Sequence, residues 1–355
     1  MPLPQKQPRS SLDVVIVNWD HELTLPACLR SLSDSVRSNY CIDRIVVVDN
    51  SRSPTFRADR YDGLPDVTVV PSSANVGFAA GCNRGARHSE ADYLLFLNPD
   101  TQVGPRSIAS AVAVLEDPAS AGIALLGPLV VDRQGRQRIT GTRLPTVGRV
   151  FNRITGLSLL MPRWFPGMWM IEPHQDEARL RLVDCVSGVC LFVRRSVFEQ
   201  LGGFDERLFL YYEDADLSLR ARRLGWSTAF LADDPVVHDS GWSRGDDRAW
   251  RLAHSWRSLM MYAWKAFGPV RAVGVTAIVL VLAPAARLSQ AVWHLSPRET
   301  VAAFVGYAWL WSLLARDLVT RTRTIGAAGQ ESGATSQAKS MSGRCGTPGD
   351  PVRPS

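Results

Sequence analysis

Short apolar runs alternate, up to Val131, with segments in which leucines or small residues recur at helical spacing. Apolar runs bounded by polar residues are typical of strands buried in a parallel sheet. The predicted strands are Asp13–Asn18, Arg44–Asp49, Val67–Val70, Tyr93–Leu97 and Gly122–Val131. The predicted helices are Glu22–Ser35, Gly77–His88 and Pro105–Glu116. Strands that alternate with helices predict an α/β fold with a mainly parallel sheet.

The pattern becomes irregular after the last of these strands. Residues 133–180 are rich in Arg, Pro and Trp, which predicts a long surface insertion of the kind that often carries recognition. Regular patterning resumes at Val183 and continues to about His238.

The C-terminal part contains two stretches without a charged residue, Ala272–Ala286 and Thr300–Ala315. Both are shorter than the ~20 residues that a helix needs to cross a bilayer. Basic residues flank them, and most of the tryptophans lie after residue 240. This pattern favours helices that lie in a membrane interface. The alternative is a buried helical pair that packs on the preceding domain.

Composition narrows the class of partner. The chain has 355 residues, 46% of them hydrophobic and 21% charged, which is globular composition, and its net charge of +6 favours anionic partners. The basic residues are dispersed and no groove-reading motif is present, so we expect no nucleic-acid partner. The N-terminus has no apolar core or cleavage site, and the six cysteines match no zinc or disulfide pattern. We therefore expect a cytoplasmic protein with reduced thiols.

Polar residues follow the first two predicted strands directly, at Asn18 and at Asp49-Asn50-Ser51. Ligands of open α/β sheets bind beyond the carboxyl ends of the strands, where Asp49 can accept hydrogen bonds from a base or ribose. The same residues are also ordinary turn formers. In the segment that follows the third strand, Gly77 permits close backbone approach and Asn83 can bind a phosphate or ribose. The alternative for this segment is a helix packed tightly on the sheet.

The spacing of these glycines matches neither a dinucleotide-binding fingerprint nor a Walker loop, which argues against a dehydrogenase and an NTPase. After the fourth strand, Asn98-Pro99-Asp100 can hold Mg²⁺ or Mn²⁺, or can cap the next helix. Farther on, Glu213, Asp214 and Asp216 begin a predicted helix, where acids favour the helix dipole. A carboxylate in this position is also a candidate general base. His238 is a candidate metal ligand, with Asp100 as its partner.

Taken in order, these motifs resemble the inverting glycosyltransferases of family 2, which have the Rossmann-like GT-A fold of nucleotide-diphospho-sugar transferases. The resemblance covers residues 12–245 and is strongest to the rhamnosyltransferase-type branch of bacterial cell-surface polysaccharide assembly. The motifs that carry it are Val15–Trp19, Val47–Ser51, Asn75–Asn83, Asn98–Asp100, Gly188, Arg194-Arg195, Gly202–Glu206, Tyr212–Ala221 and His238.

The resemblance implies a role for each matching residue. Asp214 resembles the catalytic base, with Glu213 its catalytic neighbour at the acceptor. Gly188 and Asp216 are implied on the acceptor side, and Asp100 with His238 as the metal ligands. The residues implied to bind the nucleotide sugar are Asn18, Asp49, Asn50, Gly77, Asn83, Asn98 and Asp100. Asn98 replaces the first acid of the family's Asp-x-Asp element, so the donor's pyrophosphate must supply much of the charge that holds the metal.

The same resemblance implies the organisation and activity of the chain. We expect a leader over 1–11, a GT-A catalytic domain over 12–245, a helical membrane-associated region over 246–323 and a disordered tail over 324–355. The expected reaction is metal-dependent transfer of a hexose, L-rhamnose from dTDP-rhamnose, to a hydroxyl of a polyprenyl-diphosphate-linked or polysaccharide acceptor. It would occur at the cytoplasmic face of the cell membrane. The alternatives are a UDP- or GDP-hexose donor, or a nucleotide-sugar-binding protein without catalysis.

Overall fold

The computed structural model describes residues 9–51, 67–138, 141–168, 179–239, 247–293 and 300–319. Its strands are β1 Ser10–Asn18, β2 Tyr40–Asp49, β3 Val67–Pro71, β4 Tyr93–Leu97, β5 Thr101–Gln102, β6 Ile123–Val131, β7 Gly141–Thr142, β8 Leu180–Val183, β9 Cys185–Val186, β10 Cys190–Arg194 and β11 Ser227–His238. Its helices are α1 Leu25–Ser33, α2 Phe78–Ala86, α3 Ser107–Glu116, α4 Val147–Ile154, α5 Leu157–Leu160, α6 Arg195–Gln200, α7 Glu213–Arg223, α8 Asp247–Ala266, α9 Pro269–Ala277, α10 Ala283–Trp293 and α11 over 300–319. All five predicted strands and all three predicted helices form, with bounds shifted by a few residues.

The central sheet has nine strands in the order β3-β2-β1-β4-β10-β6-β11-β5, and β8 also pairs with β11. The pairs β3-β2, β2-β1, β1-β4 and β6-β11 are parallel, whereas β10 runs antiparallel between β4 and β6. The sheet is therefore mixed, because β10 runs against β4 and β6, and the strands β5 and β8 run against β11. This is the α/β class expected from the sequence.

Helices cover both faces of the sheet, because successive residues of a strand point to opposite sides. Val14 and Ile16 of β1 pack into a buried cluster with α1 and α3. Val15 and Val17 of the same strand pack into a second cluster with α2, α6 and α7. Burial on both faces explains why the strands are continuous apolar runs rather than alternating ones.

The strand directions bring several polar segments to one edge of the sheet. Asn18 and Asp49 are paired at the ends of β1 and β2. Because β10 is antiparallel, its first residue, Cys190, pairs with the last residue of β4, Leu97. The end of β11 reaches the same edge, where His238 pairs with Thr101 of β5. Residues from six strands therefore surround this end of the sheet.

Residues 133–180, predicted as a surface insertion, contribute to a buried core in their described part. Val150 and Ile154 of α4 and Met168 pack with α8, α9, α10 and α11 in a third apolar cluster. The prediction of a surface insertion did not anticipate this burial. The apolar residues of the segment lie among many Arg and Pro residues, yet they bury one face of α4.

The C-terminal helices have one buried side and one exposed apolar side. Ala272 and Val275 of α9 are buried, whereas Val270 and Val273 of α9 and Val281, which follows this helix, are exposed. Their placement in a membrane interface stays a prediction. A helix of 21 residues, Pro269–Ser289, has a mean hydropathy of 1.9 and is long and apolar enough to cross a membrane, and only 22% of its most apolar window is buried. The length estimate from charge-free runs was too short, because the helix continues past Arg271 and Arg287.

Strand β1 begins at Ser10, inside the stretch predicted as a leader. Its first residues are held by Asp92, whose Oδ2 accepts hydrogen bonds from the Ser11 amide at 3.0 Å and hydroxyl at 2.7 Å. The predicted tail over 324–355 and the first eight residues lie outside the described part of the chain.

Candidate active site

Asn18, Asp49, Asn50 and Gly77 lie together at the carboxyl ends of β1 and β2, and we call this group the strand-end site. Asp49 Oδ1 accepts hydrogen bonds from Asn18 Nδ2 and from the Ser51 amide, both at 3.1 Å. Asp49 Oδ2 is buried and has no hydrogen-bond partner among the described residues. Because an unpaired buried carboxylate oxygen is costly, this oxygen is the one available to a ligand's hydrogen-bond donor.

Gly77 closes the strand-end site with a backbone conformation that favours glycine. Its φ is +88°, and a Cβ at this position would lie 2.5 Å from the carbonyl oxygen of Phe209. Its carbonyl accepts a hydrogen bond from Asn50 Nδ2 at 3.2 Å. The glycine is therefore required here by close backbone approach to the segment that leads into α7.

Asp100 and His238, predicted as partners in a metal site, are brought together by the pairing of β5 with β11. His238 Nε2 lies 3.2 Å from Asp100 Oδ1, and the Asp239 amide donates to the Asp100 carbonyl at 2.9 Å. Nearby, the Asn98 amide donates to the carbonyl of Val189 at 2.9 Å, and the Asn98 side chain is half-buried. In the described ranges, no group of three or more His, Cys, Asp or Glu residues is placed to hold a metal ion.

This pair fits a divalent cation that is shared with a bound ligand. Carboxylate oxygen and imidazole nitrogen are both ligands of Mn²⁺, and the pair supplies two of the positions that such an ion requires. The remaining positions would be left to phosphate oxygens and water.

Asp214 lies in the first turn of α7, after two residues in a strained conformation. Tyr211 and Tyr212 both have positive φ, of 65° and 66°, which is unusual for bulky side chains and marks a backbone held by its surroundings. The Asp214 carboxylate accepts hydrogen bonds from the Ala215 amide at 2.7 Å and the Gly188 amide at 3.2 Å. Gly188, predicted on the acceptor side, therefore helps to orient this carboxylate.

Burial raises the pKa of Asp214, although the amides of Ala215 and Gly188 that hydrogen-bond its charged form partly oppose the shift. The adjacent Glu213 is 5% exposed, and burial together with the charge of Asp214 raises the pKa of Glu213 well above its usual value. Glu213 Oε2 has no hydrogen-bond partner within the described structure. The two acids therefore differ in environment, since Asp214 accepts hydrogen bonds from the amides of Gly188 and Ala215, whereas one oxygen of Glu213 has no partner within the described structure.

A cavity of about 560 Å³ opens beside Asp214 and not beside Glu213. The two tyrosines, Ser187 and Cys185 are among the residues that line it. Five arginines also line it, and we call it the arginine cavity: Arg143, Arg153, Arg248, Arg251 and Arg287. Helix α8 connects the cavity to the strand-end site, because Trp250 contacts Trp19 with ring centroids 4.8 Å apart.

Two predicted site residues have other partners in the structure. Asp216 is 1% exposed and forms ion pairs with Arg220 and Lys265, both at 2.7 Å, so that it links α7 to α8. Both ends of the Asn83 amide bond the backbone of Phe204, at 2.8 Å each. Neither side chain lines the arginine cavity. The acceptor role of Asp216 and the donor role of Asn83 stay predictions, and the contacts observed for both are structural.

Comparison with known proteins identifies the family of the chain. The family model "Glycosyltransferase like family 2" matches residues 8–303. The chain belongs to glycosyltransferase family 2. A Mycobacterium tuberculosis protein named N-acetylglucosaminyl-diphospho-decaprenol L-rhamnosyltransferase is 32% identical over 268 residues, which cover 71% of this chain and 83% of that protein. The predicted resemblance to the rhamnosyltransferase-like branch of this family is confirmed.

More distant relatives share the fold or part of the chain. The low-salt glycan biosynthesis hexosyltransferase of Haloferax volcanii is 28% identical over 216 residues, covering 60% of this chain and 62% of that protein. A crystal structure of GalNAc-T7 with UDP, GalNAc and Mn²⁺ is 18% identical, with a TM-score of 0.52, and the match covers 66% of this chain and 45% of that one. The latter likeness shows the fold alone.

Sequence reasoning about this glycosyltransferase missed the arginine cavity. The five arginines are spread from residue 143 to residue 287 and share no motif. The one signal available in the sequence was the pair Tyr211-Tyr212, which stands directly before the helix that carries Asp214.

Proposed function

We propose that this glycosyltransferase moves a sugar, L-rhamnose from dTDP-L-rhamnose, to a hydroxyl of a lipid-linked acceptor with inversion of configuration. The observation that carries the proposal is the Asp214 carboxylate, which backbone amides hold in the lining of a large cavity. The choice of sugar and acceptor is supported by the name of the Mycobacterium tuberculosis relative.

In the proposed reaction, Asp214 accepts the proton of the acceptor hydroxyl as that oxygen attacks the anomeric carbon of the donor. The new carbon–oxygen bond forms on the face opposite the leaving group while the bond to the nucleoside diphosphate breaks. Because burial raises the pKa of Asp214, its carboxylate is a stronger base than a solvated aspartate. The amides of Gly188 and Ala215 keep this carboxylate in one orientation during the transfer.

Asn18, Asp49 and Asn50 would bind the nucleoside of the donor, and Asp100 with His238 would hold Mg²⁺ or Mn²⁺. When bound, the cation supplies positive charge that stabilises the leaving diphosphate. The buried, unpartnered Asp49 Oδ2 supports the nucleoside assignment. The 3.2 Å contact between Asp100 and His238 supports the metal assignment.

The donor is tested by thermal unfolding of the full chain with dTDP, UDP or GDP, each with and without Mg²⁺ or Mn²⁺. A ligand at a hundredfold excess over its dissociation constant stabilises the native state by about 2.7 kcal/mol. We expect the largest rise of the melting temperature with dTDP, and only when the metal is present. A larger metal-dependent shift with UDP or GDP would replace the rhamnosyl donor by a UDP- or GDP-hexose. A folded protein that responds to no nucleotide would contradict the proposed function.

We further propose that the enzyme works on the cytoplasmic surface of the cell membrane. Support comes from the exposed apolar residues of α9–α11, which include Val281 at 73% and Phe304 at 60% exposure. Flotation of the protein with phosphatidylglycerol vesicles tests this proposal. The single variants V281Q and F304Q should each lower the bound fraction, because burial of an apolar side chain contributes about 1.5–3 kcal/mol. L23Q, at an exposed leucine outside the C-terminal helices, is the control. Equal flotation of all variants would overturn the assignment.

A further inference from the structure

The arginine cavity collects positive charge from distant segments of the chain. Arg143 precedes α4, Arg153 lies on α4, Arg248 and Arg251 lie on α8, and Arg287 lies on α10. Asp214 is the sole carboxylate among the described residues that line the cavity. The fold therefore places five guanidinium groups around a space that contains one negative charge of its own.

The pairing of these arginines differs from that of arginines elsewhere on α7 and α8. Arg220 is paired with Asp216 at 2.7 Å, and Arg257 is paired with both oxygens of Asp317 at 2.8 Å. Within the described structure, Arg143, Arg248, Arg251 and Arg287 form no ion pair with a carboxylate. Like charges gathered without counter-charges repel each other, and a bound polyanion would remove this repulsion.

The chemistry of guanidinium groups indicates which anion fits. Arginine offers a planar fork of donors that matches phosphate oxygens, and several arginines can share the oxygens of a diphosphate. The cavity also has an apolar side, formed by Met168, Leu252, Ala302 and Ala303. The matching ligand carries a diphosphate and a hydrocarbon segment.

We propose that the arginine cavity binds the diphosphate of a polyprenyl-diphosphate-linked acceptor. In this arrangement the sugar attached to the diphosphate points towards Asp214, and the prenyl chain leaves between α10 and α11 towards the exposed apolar residues of these helices. The inference rests on the proposed function and deepens it, because it assigns the residues that recognise the acceptor.

The donor's own diphosphate is a poorer match for this cavity. The donor belongs at the strand-end site and at the Asp100–His238 pair, and none of these residues lines the arginine cavity. An anionic lipid headgroup is the other ligand that could bind to arginines here, and at the surface it would contact the exposed Arg248 and Arg287. It would make no use of the half-buried Arg143 and Arg251.

Binding of farnesyl diphosphate, farnesyl monophosphate and inorganic pyrophosphate to the full chain tests the inference, with tryptophan fluorescence as the readout. We expect farnesyl diphosphate to bind most tightly. R251Q should weaken the binding of farnesyl diphosphate about tenfold, because this is about the contribution of one charge-assisted hydrogen bond. The double variant R143Q R251Q should weaken it about tenfold more than R251Q alone. The dissociation constant of dTDP with metal should stay unchanged. R30Q, at an exposed arginine outside the cavity, is the matched control.

R287Q provides a second test that does not depend on a half-buried position, because Arg287 is exposed on α10. It should weaken farnesyl diphosphate binding while the melting temperature stays that of the unmodified protein. Its binding to phosphatidylglycerol vesicles should change less than its binding to farnesyl diphosphate. A loss confined to the vesicles would assign these arginines to lipid headgroups and overturn the proposal.

Other outcomes separate this inference from the proposed function. If the protein binds dTDP with metal but farnesyl diphosphate no better than inorganic pyrophosphate, the acceptor assignment is wrong and the transferase proposal stands. If the arginine variants weaken dTDP and farnesyl diphosphate equally, the cavity serves the donor and the inference is overturned. If farnesyl diphosphate binds through these arginines but no nucleotide binds at all, the cavity assignment is supported and the proposed transfer reaction fails.

Discussion

The strand-end site and the arginine cavity are built in opposite ways. Asn18, Asp49 and Asn50 follow strands directly, and a hydrogen-bonded network buries them at the edge of the sheet. The cavity is lined by residues of β7, β9, α4, α7, α8, α10 and α11 and by residues of the segments between them. The contrast supports the two proposals made above, that the sheet edge binds the donor and that the added helices recognise the acceptor.

The largest effect that tests this division is expected from D214N. The amide cannot accept the proton, so kcat should fall about 10²- to 10⁴-fold, while the dissociation constant of dTDP stays the same. Single-turnover kinetics and nucleotide titration measure the two quantities separately. D34N, at an exposed carboxylate on the C-terminal end of α1, should leave both unchanged. A D214N enzyme with near-normal turnover would exclude Asp214 as the base.

Substitution of the Asp100–His238 pair should affect the donor side instead. D100N and H238Q each change one proposed metal ligand. The Mn²⁺ concentration needed for dTDP binding should therefore rise at least ~10-fold, because even the loss of a residue that only contacts a metal ligand typically costs that much affinity. Titration of Mn²⁺ at fixed dTDP measures this shift. H88Q, at an exposed histidine, is the control. Metal-independent dTDP binding that survives both substitutions would contradict the assignment of this pair.

Gly77 tests whether the strand-end site depends on close backbone packing. G77A forces a Cβ to within 2.5 Å of the Phe209 carbonyl oxygen. The positive φ costs about 1–2 kcal/mol, and overpacking adds about 1–3 kcal/mol. G135A is the matched control, because Gly135 also has a positive φ, +74°, but no heavy atom within 4 Å. Urea unfolding of both variants should therefore show the larger loss for G77A, and equal losses would contradict the packing argument.

Glu213 is buried and lines neither the strand-end site nor the arginine cavity. Its substitution should therefore have the smallest effect on turnover, and a measurable effect on the free energy of unfolding. A carboxyl group whose pKa is raised by folding destabilises the native state as the pH rises from its unfolded pKa to its folded pKa. E213Q should therefore stabilise the protein at pH 7 by about 1.4 kcal/mol for each unit by which folding raises this pKa. The gain should vanish near pH 4, where the unfolded chain is also protonated. A variant that is less stable at pH 7 would show that the charged carboxylate is needed.

The residues of α7 show what pattern alone leaves open. Glu213, Asp214 and Asp216 lie within four positions, and each successive residue of a helix turns by about 100°. Glu213 is therefore buried beside Gly188, Asp214 lines the cavity and Asp216 is ion-paired with Lys265. Their spacing predicted a cluster of acids at the start of a helix. Their different environments depend on what packs against each side of it.

The sequence by itself determined the strands, the flanking helices and the polar residues that end β1, β2 and β4, because these depend on local apolar patterning and on the common direction of parallel strands. It also determined that Asp100 and His238 belong together, through motifs shared with a family. Only the tertiary structure decided that Asn83 bonds the Phe204 backbone and that α4 is part of a helical core. Only the fold gathered five dispersed arginines around Asp214, because side chains drawn from separate segments between residue 143 and residue 287 leave no local pattern in the chain.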